Sequence, residues 1–339
     1  MSKIKENISL KAFNTFGIEV FAQYFTEAVS TDDFRSIIFD NKFKTIPKLI
    51  LGGGSNVLFT KNVEGIVVRN NLKGIDKIDE TQDHVFIKSA AGEVWHQFVM
   101  YCIENNYGGV ENLSLIPGSV GAGPMQNIGA YGVEVKETFF ELEAIHIETG
   151  DKRIFNSEDC RFGYRQSVFK AELKNQYIIT SVTFRLDKVP HFNISYGAIK
   201  SELEKMNITE LNIRNISSAV INIRRSKLPD PVVIGNAGSF FKNPEVAKEK
   251  YEHLKSVFEG CVGYVLENGN VKLAAGWLIE QCGWKGKVVG NTGSHKDQAL
   301  VLVNYGGATG AEIFKLAKDI QQSVKEKFDV NLEMEVNII

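Results

Sequence analysis

The chain has 339 residues, 43% of them hydrophobic, enough to bury a sizeable core spread over two or three domains. Its 39 Lys and Arg against 41 Asp and Glu leave a formal net charge of −2, so no excess positive charge points to nucleic acid or to an anionic membrane. The opening stretch MSKIKENISL lacks the apolar run of a secretory signal, and no stretch reaches the roughly 18 apolar residues of a membrane span. A soluble, cytoplasmic protein is expected. Cys102, Cys160, Cys261 and Cys282 lie far apart with no C-x-x-C, so buried free thiols are expected rather than a disulfide framework. The six histidines show neither H-x-H nor H-E-x-x-H spacing, and no metal site is expected.

The first strand-like run, PKLILG (47–52), leads into LILGGGSNVLF (49–59). There Gly52, Gly53 and Gly54 precede Ser55 and Asn56. Consecutive glycines let main-chain N–H groups approach an anion, and the Ser and Asn side chains add donors. A tight strand-to-strand turn fits the same residues equally well. HVFIKSAAG (84–92) reads as the next strand. GEVWHQFVMYCIENNYGG (92–109) spaces Val94, Phe98 and Cys102 on one helical face and stops at paired glycines.

SLIPGSVGAGPMQNIGAYG (114–132) then mixes five glycines with Pro117, Pro124 and the polar Gln126 and Asn127. Loops so rich in small residues commonly bind or cross a ligand. It is no Rossmann fingerprint, because Gln126 falls where the third glycine belongs and Pro124 disturbs the helix opening. No Gly-Lys-Ser/Thr ending occurs, which excludes a P-loop. A nucleotide cofactor therefore needs some other cradle.

QYIITSVTFRL (176–186) reads as a strand, and KLPDPVVIG (227–235), with the sole Pro-x-Pro, as a segment border. In GNAGSFFKNP (235–244), Ser239 lacks the flanking glycines of a nucleophile elbow: Ala237 and Phe241 hold those positions. Taken alone, that string fits a structural turn. GAEIFKLAKDIQQSVKEKF (310–328) reads as a helix with Ile313, Leu316, Ile320 and Val324 on its apolar face. In LEMEVNI (332–338), Leu332, Met334, Val336 and Ile338 alternate with Glu333 and Glu335, as in a strand with one packed face. Interleaved strands and helices, without repeats or low-complexity segments, give an α+β or mixed α/β class.

Eight segments in order carry a family resemblance: NTFG (14–17), LGGGSNVLF (51–59), the 114–132 loop, CRFGYRQSVFK (160–170), RRSKLPDP (224–231), GNAGSFFKNP (235–244), KLAAGWLIEQCG (272–283) and HKDQALVLVN (295–304). Over nearly its whole length the chain resembles the UDP-N-acetylenolpyruvoylglucosamine reductases. The resemblance implies an α+β protein with an FAD-binding fold of the vanillyl-alcohol-oxidase type. Its two FAD-binding subdomains would be residues 1–72 and 73–220. A substrate domain, 221–328, would close over the flavin, and a C-terminal strand, 329–339, would return to the active site.

The implied activity is NADPH-dependent, FAD-mediated reduction of UDP-N-acetylglucosamine enolpyruvate to UDP-N-acetylmuramate, in peptidoglycan precursor synthesis, by a cytoplasmic monomer. Gly52, Gly53, Gly54, Ser55, Asn56, Ser119, Gly121, Gly123, Gln126, Asn127 and Gly129 would hold the FAD, chiefly its pyrophosphate. Neither His nor Cys occurs in Leu49–Thr60 or Ser114–Gly132, so attachment would be non-covalent.

Reducing an enol ether calls for donors that hold the carboxylate as it becomes enolate-like, a proton donor to carbon, and cations on the diphosphate. The resemblance assigns Arg165 and Glu335 to the first task, preferring Glu335 over Glu333, and Ser239 to the second. A hydroxyl stays protonated at pH 7 and carries no charge to desolvate. Tyr196, Lys227, Asn243, Tyr264 and Gln298 would bind the substrate. Tyr264 would sit on the extra mobile loop that marks one form of the family. Relatives in the family commonly continue beyond the final strand, which leaves the packing of NLEMEVNII open. Two rival readings remain, a nucleotide-sugar binder without flavin and an FAD oxidase of another small substrate.

Overall fold

The computed structural model describes residues 3–339; Met1 and Ser2, part of the stretch read for a secretory signal, lie outside the described residues. The chain forms two compact units. One comprises Ala22–Gly53 and Val63–Ser226 with the segment ending at Ile8. The other comprises Ser9–Phe21, Gly54–Asn62 and Lys227–Ile339.

The first unit holds two large sheets and a two-stranded one that pairs Gly129–Ala130 with Val133–Glu134. In the four-stranded one the order is Lys5–Ser9, Phe21–Ala28, Val63–Asn70, Lys48–Leu51, and the last three run parallel. Parallel neighbours need a crossover, and the helix Thr31–Phe39 supplies it, opened by a capping box in which Ser30 and Asp33 each accept the other's N–H. The run VEGIVVRN is buried nearly throughout, as a covered central strand requires. Phe34, Ile37 and Ile38 of the helix pack with Ile66 and Val68 in its core.

The second sheet is antiparallel in the order Lys152–Asn156, Phe139–His146, Tyr177–Asp187, His84–Ala90, Ile75–Glu80. Its middle strand is the QYIITSVTFRL run, shifted by one residue from the expected bounds. The helix over this core is Trp95–Glu104, shorter than the periodicity suggests. Val94 is its N-cap, extended and exposed, so it leaves the predicted buried face to Trp95, Phe98, Val99, Cys102 and Ile103. Trp95, Phe98 and Phe184 stack edge-on and tilted with centroids 4.6–5.8 Å apart. The helices Gly197–Lys205 and Ile213–Lys227 pack through Ile199, Leu203, Ile216 and Val220.

In the second unit an antiparallel sheet orders Gly235–Ser239, Val301–Asn304, Thr292–Ser294, Val288–Val289. A smaller one orders Glu245–Val246, Val271–Leu273, Gly263–Val265. The helix Gly310–Phe328 has the expected bounds and buries Ile313, Leu316, Ile320 and Val324. Thr309 and Glu312 form its capping box.

The tail departs from the alternating strand expected of it. Only Asn337–Ile338 is a strand, parallel to Val57–Leu58, with a single bridge at Met334. Leu332 and Val336 are buried, but Ile338 is exposed, because the segment changes partner between Phe241 and Val57 and no one face persists. Tyr264 likewise lies in strand Gly263–Val265, opposite Lys272, not in a bare loop. Val265 and Val271 favour pairing, and Gly269 supplies a positive φ at the turn between them.

Candidate functional site

In the first unit the strand Lys48–Leu51 delivers Gly52 and Gly53 against the second glycine-rich stretch. A Cβ on Gly52 would lie 2.5 Å from Ser119 Oγ, and one on Gly53 would lie 3.0 Å from Gly118 Cα. A Cβ on Gly121 would lie 2.5 Å from Ala91 Cβ. The N–H groups of Gly121 and Gly123 donate to the carbonyls of Ala91 and Val120. These two glycines therefore serve close packing rather than donation. Only residues without side chains allow the two stretches to approach so closely.

Asn127, buried and at φ +47°, uses its amide to donate to Glu134 Oε2 and the Gly163 carbonyl, while its Oδ1 accepts from Lys136 N–H. Its side chain shapes the loop. Gln126 Oε1 accepts from Lys170 Nζ at 3.3 Å. Arg165, itself at φ +52°, donates from Nη2 to the Gly129 carbonyl at 2.6 Å and from Nη1 to the Asn127 carbonyl at 3.5 Å. A Cβ on Gly129 would lie 3.1 Å from Arg165 Nη1. The structure thus seats Arg165 on the end of the second glycine-rich stretch.

Four residues here escaped sequence reading: His96, Asn112, Tyr131 and Arg224. Arg224 Nε donates to the Leu115 carbonyl at 3.2 Å, and its guanidinium also hydrogen-bonds the Tyr131 phenol. The Tyr131 ring meets that of Tyr196 edge-on at 5.3 Å. Tyr196, 46% exposed, precedes the helix Gly197–Lys205 as its N-cap. Asn112 donates to the carbonyls of Tyr131 and Asn193, yet its buried Oδ1 has no partner among the described residues. The Arg224 signal lay inside the quoted RRSKLPDP; the others sit in apolar or glycine-rich runs that advertise no chemistry.

His96 Nδ1 accepts the Leu115 N–H at 3.0 Å, which puts the ring proton on Nε2. Burial first, then the Arg225 and Arg224 charges, holds its pKa below the ordinary imidazole value. The folded chain therefore binds this proton later than the unfolded chain does as pH falls. Its contribution is intact above pH about 6.5 and is lost as pH drops through the folded value. Melting temperature should fall between pH 7.5 and 5.5, and His96→Asn, which keeps an acceptor for Leu115, should flatten that fall. An unchanged slope would remove His96 from the account.

In the second unit the NTFG loop is tied by Asn14, which donates to the carbonyls of Leu10 and Ile18 and accepts from Ile18 N–H. Gly54, at φ +64°, abuts it: a Cβ there would lie 2.0 Å from the Phe13 carbonyl oxygen. Gly290 shares the left-handed φ, at +57°, with nothing within 4 Å. Gly54→Ala should exceed the strain of a non-glycine at this φ, roughly 1–3 kcal/mol, whereas Gly290→Ala should stay within it. Urea midpoints measure both, and equal losses would deny the Phe13 contact its role.

Ser239 ends the strand Gly235–Ser239 just past a bulge, for Asn236 faces Val303 while Ser239 faces Val301. Gly238 takes φ +70° there, and its N–H donates to Asn236 Oδ1. Buried Asn236 also donates to the carbonyls of Pro229 and Ile234. A bulge braced in this way re-aims the following side chain. One residue on, the Phe240 carbonyl accepts the Glu335 N–H at 2.8 Å. The chain thereby brings Glu335 beside the Ser239 strand, half-buried. Glu333 is exposed and ion-paired to Lys242 at 2.5 Å.

Asn243 and Gln298 converge on one short helix, Ala275–Gln281. Asn243 Oδ1 accepts the Ala275 N–H at 3.0 Å, and Gln298 Oε1 stands 3.3 Å from a Cβ placed on Gly276. Tyr264 is 53% exposed on its strand, and Lys227 is exposed at the end of the helix Ile213–Lys227. Ser55 and Asn56 are half-buried. Among the described residues no group of His, Cys, Asp or Glu is arranged to hold a metal, and no helix is long and apolar enough to cross a membrane. Burial raises the pKa of all four cysteines, that of Cys160 to about 12, so they are poor nucleophiles.

Residues 22–152 match a family model described as an FAD binding domain, and residues 230–339 match the C-terminal domain of UDP-N-acetylenolpyruvoylglucosamine reductase. Proteins of that name from Flavobacterium johnsoniae and Amoebophilus asiaticus are each 51% identical to this chain over 99% of its length. The matches cover 100% and 99% of those proteins. In fold, the crystal structure of the reductase from Thermus caldophilus is similar at a TM-score of 0.70 and 22% identity, covering 100% of this chain and 99% of that one. The architecture is accordingly α+β with an FAD-binding domain. With full-length identity of this order, and both halves matched, the chain belongs to the UDP-N-acetylenolpyruvoylglucosamine reductases, FAD-dependent oxidoreductases of peptidoglycan precursor synthesis.

Proposed function

We propose that the chain reduces UDP-N-acetylglucosamine enolpyruvate to UDP-N-acetylmuramate with NADPH as reductant, FAD held non-covalently and Ser239 as proton donor. The observation that carries the reading is the pairing of Glu335 with Phe240, which sets a carboxyl-bearing residue beside the strand that ends in a re-aimed serine. Bound FAD supplies hydride transfer from NADPH to the terminal carbon of the enolpyruvyl group. Ser239 then gives its proton to the adjacent carbon, where the hydroxyl needs no charge desolvated. Arg165 holds the substrate carboxylate as negative charge develops, and Glu335 acts with it.

Gly52, Gly53, Gly54, Ser55, Asn56, Ser119, Gln126 and Gly129 line the FAD, with Gly121, Gly123 and Asn127 keeping their loop in shape. Gly53 and Gly129 fit this role because a Cβ at either would meet neighbouring main chain within 3.0 Å. Tyr196, Lys227, Asn243, Tyr264 and Gln298 bind the nucleotide sugar, Tyr264 as the tyrosine of the extra segment. In this reading residues 1–72 and 73–220 serve FAD, 221–328 the substrate, and 329–339 return Glu335 to the site. The protein acts in the cytoplasm as a monomer.

NADPH oxidation with and without UDP-N-acetylglucosamine enolpyruvate tests the reading. Oxidation should depend on the sugar, and denaturation should release intact FAD into solution. Rapid turnover of oxygen without the sugar would make the protein an oxidase. A colourless purified protein would make it a binder.

A further inference from the structure

The tail that carries Glu335 is held by contacts that the reaction does not itself explain. Asn337 donates twice to one acceptor, the Asn56 carbonyl, from its N–H at 3.1 Å and from Nδ2 at 2.9 Å. Asn56 answers by donating from Nδ2 to the Glu335 carbonyl at 3.4 Å. The Glu335 N–H is meanwhile bonded to the Phe240 carbonyl. Both main-chain groups of Glu335 are therefore fixed, one by the Ser239 segment and one by Asn56. Two residues beyond Asn337, the Ile339 carbonyl accepts from both Thr60 N–H, at 2.7 Å, and Thr60 Oγ1, at 2.9 Å. Ile339 N–H donates to the Leu58 carbonyl at 2.9 Å.

A strand of two residues has too few ladder bonds to hold a register, and a slip by one residue would exchange Glu335 for Met334 or Val336. The side-chain donations of Asn337 and Thr60 supply what the short ladder lacks. Asn337 is exposed, so it buries no apolar surface, and its contribution lies in these hydrogen bonds.

We propose that Asn337 is a positioning residue for Glu335, acting through the Asn56 main chain, with Thr60 as a second pin on the same tail. The proposal rests on the role given to Glu335 above. Asn337→Asp keeps the shape but replaces the donor by an acceptor facing the Asn56 carbonyl, so the bond becomes a repulsion. Thr60→Val removes one donor at constant shape, and Thr60→Ser retains it.

Stopped-flow flavin absorbance on the full-length FAD-loaded protein separates the two half-reactions. Bleaching by NADPH should proceed at the parent rate in Asn337→Asp and Thr60→Val. Reoxidation by saturating UDP-N-acetylglucosamine enolpyruvate should slow by about tenfold, the scale of a sub-ångström misplacement, with the half-saturating sugar concentration little changed. Thr60→Ser should restore the parent rate. In a Glu335→Gln background, Asn337→Asp should cause no further slowing, because both changes act through one group.

If Glu335→Gln is slow while Asn337→Asp reoxidises at the parent rate, the positioning proposal falls and the Glu335 role stands. If Glu335→Gln itself reoxidises normally, the role falls and takes the proposal with it. Additive losses in the double variant, or equal losses in both half-reactions, would make Asn337 a matter of stability and overturn the proposal.

Discussion

Ser239→Ala should leave bleaching of the flavin by NADPH close to the parent rate while reoxidation by the enolpyruvyl sugar slows by roughly 10²–10⁴-fold, the range of a positioned general acid. The structure makes alanine a clean probe. Ser239 pairs with Val301 through the main chain, which alanine retains, and the bulge is braced by Asn236 and Gly238 rather than by the serine. A serine that merely filled a turn would show a small loss, or an instability that affects both half-reactions alike. Ser239→Cys should recover part of the rate, since a thiol also carries a proton. Fast reoxidation of the alanine variant would show that the proton comes from elsewhere, with Glu335 the next candidate.

Arg165→Met should reduce the sugar-dependent reoxidation by roughly 10²–10³-fold, the effect of deleting one preorganised donor to a developing anion. Arg165→Lys should recover little of it. Lysine restores the charge but not the planar fork, and the bonds from Nη1 and Nη2 to the Asn127 and Gly129 carbonyls show that the fork sets the orientation. Those same bonds furnish the competing outcome. If Arg165 only braces the glycine-rich stretch, Arg165→Met should lose FAD on gel filtration and both half-reactions should fall together. Retained flavin, normal bleaching and slow reoxidation would place the guanidinium on the substrate.

The helix Gly310–Phe328 was legible to the residue, because periodicity and the Thr309–Glu312 capping box both act within a few positions along the chain. The strand Tyr177–Asp187 was legible to within one residue for a related reason, since its β-branched and aromatic run favours extended backbone. Family membership could be read because many short motifs stand in one order. Local reading failed wherever partners are distant in sequence. Arg224 meets Leu115 across 109 positions, and Asn56 meets Glu335 across 279. No periodicity spans such separations, so His96, Tyr131 and Arg224 passed as ordinary residues.

The sequence by itself determined the family, the helix Gly310–Phe328 and the strand Tyr177–Asp187 to within one residue. Only the tertiary structure decided which polar groups in the glycine-rich stretches shape the loop. It turned Asn127 into an internal brace and gave Glu333 to Lys242. It also broke the alternation of the tail, whose backbone bonds first to Phe240 and then to Asn56. The physical reason is common to all three: a hydrogen bond depends on which donor and acceptor the folded chain brings within about 3 Å, and local sequence specifies only neighbours a turn or two away.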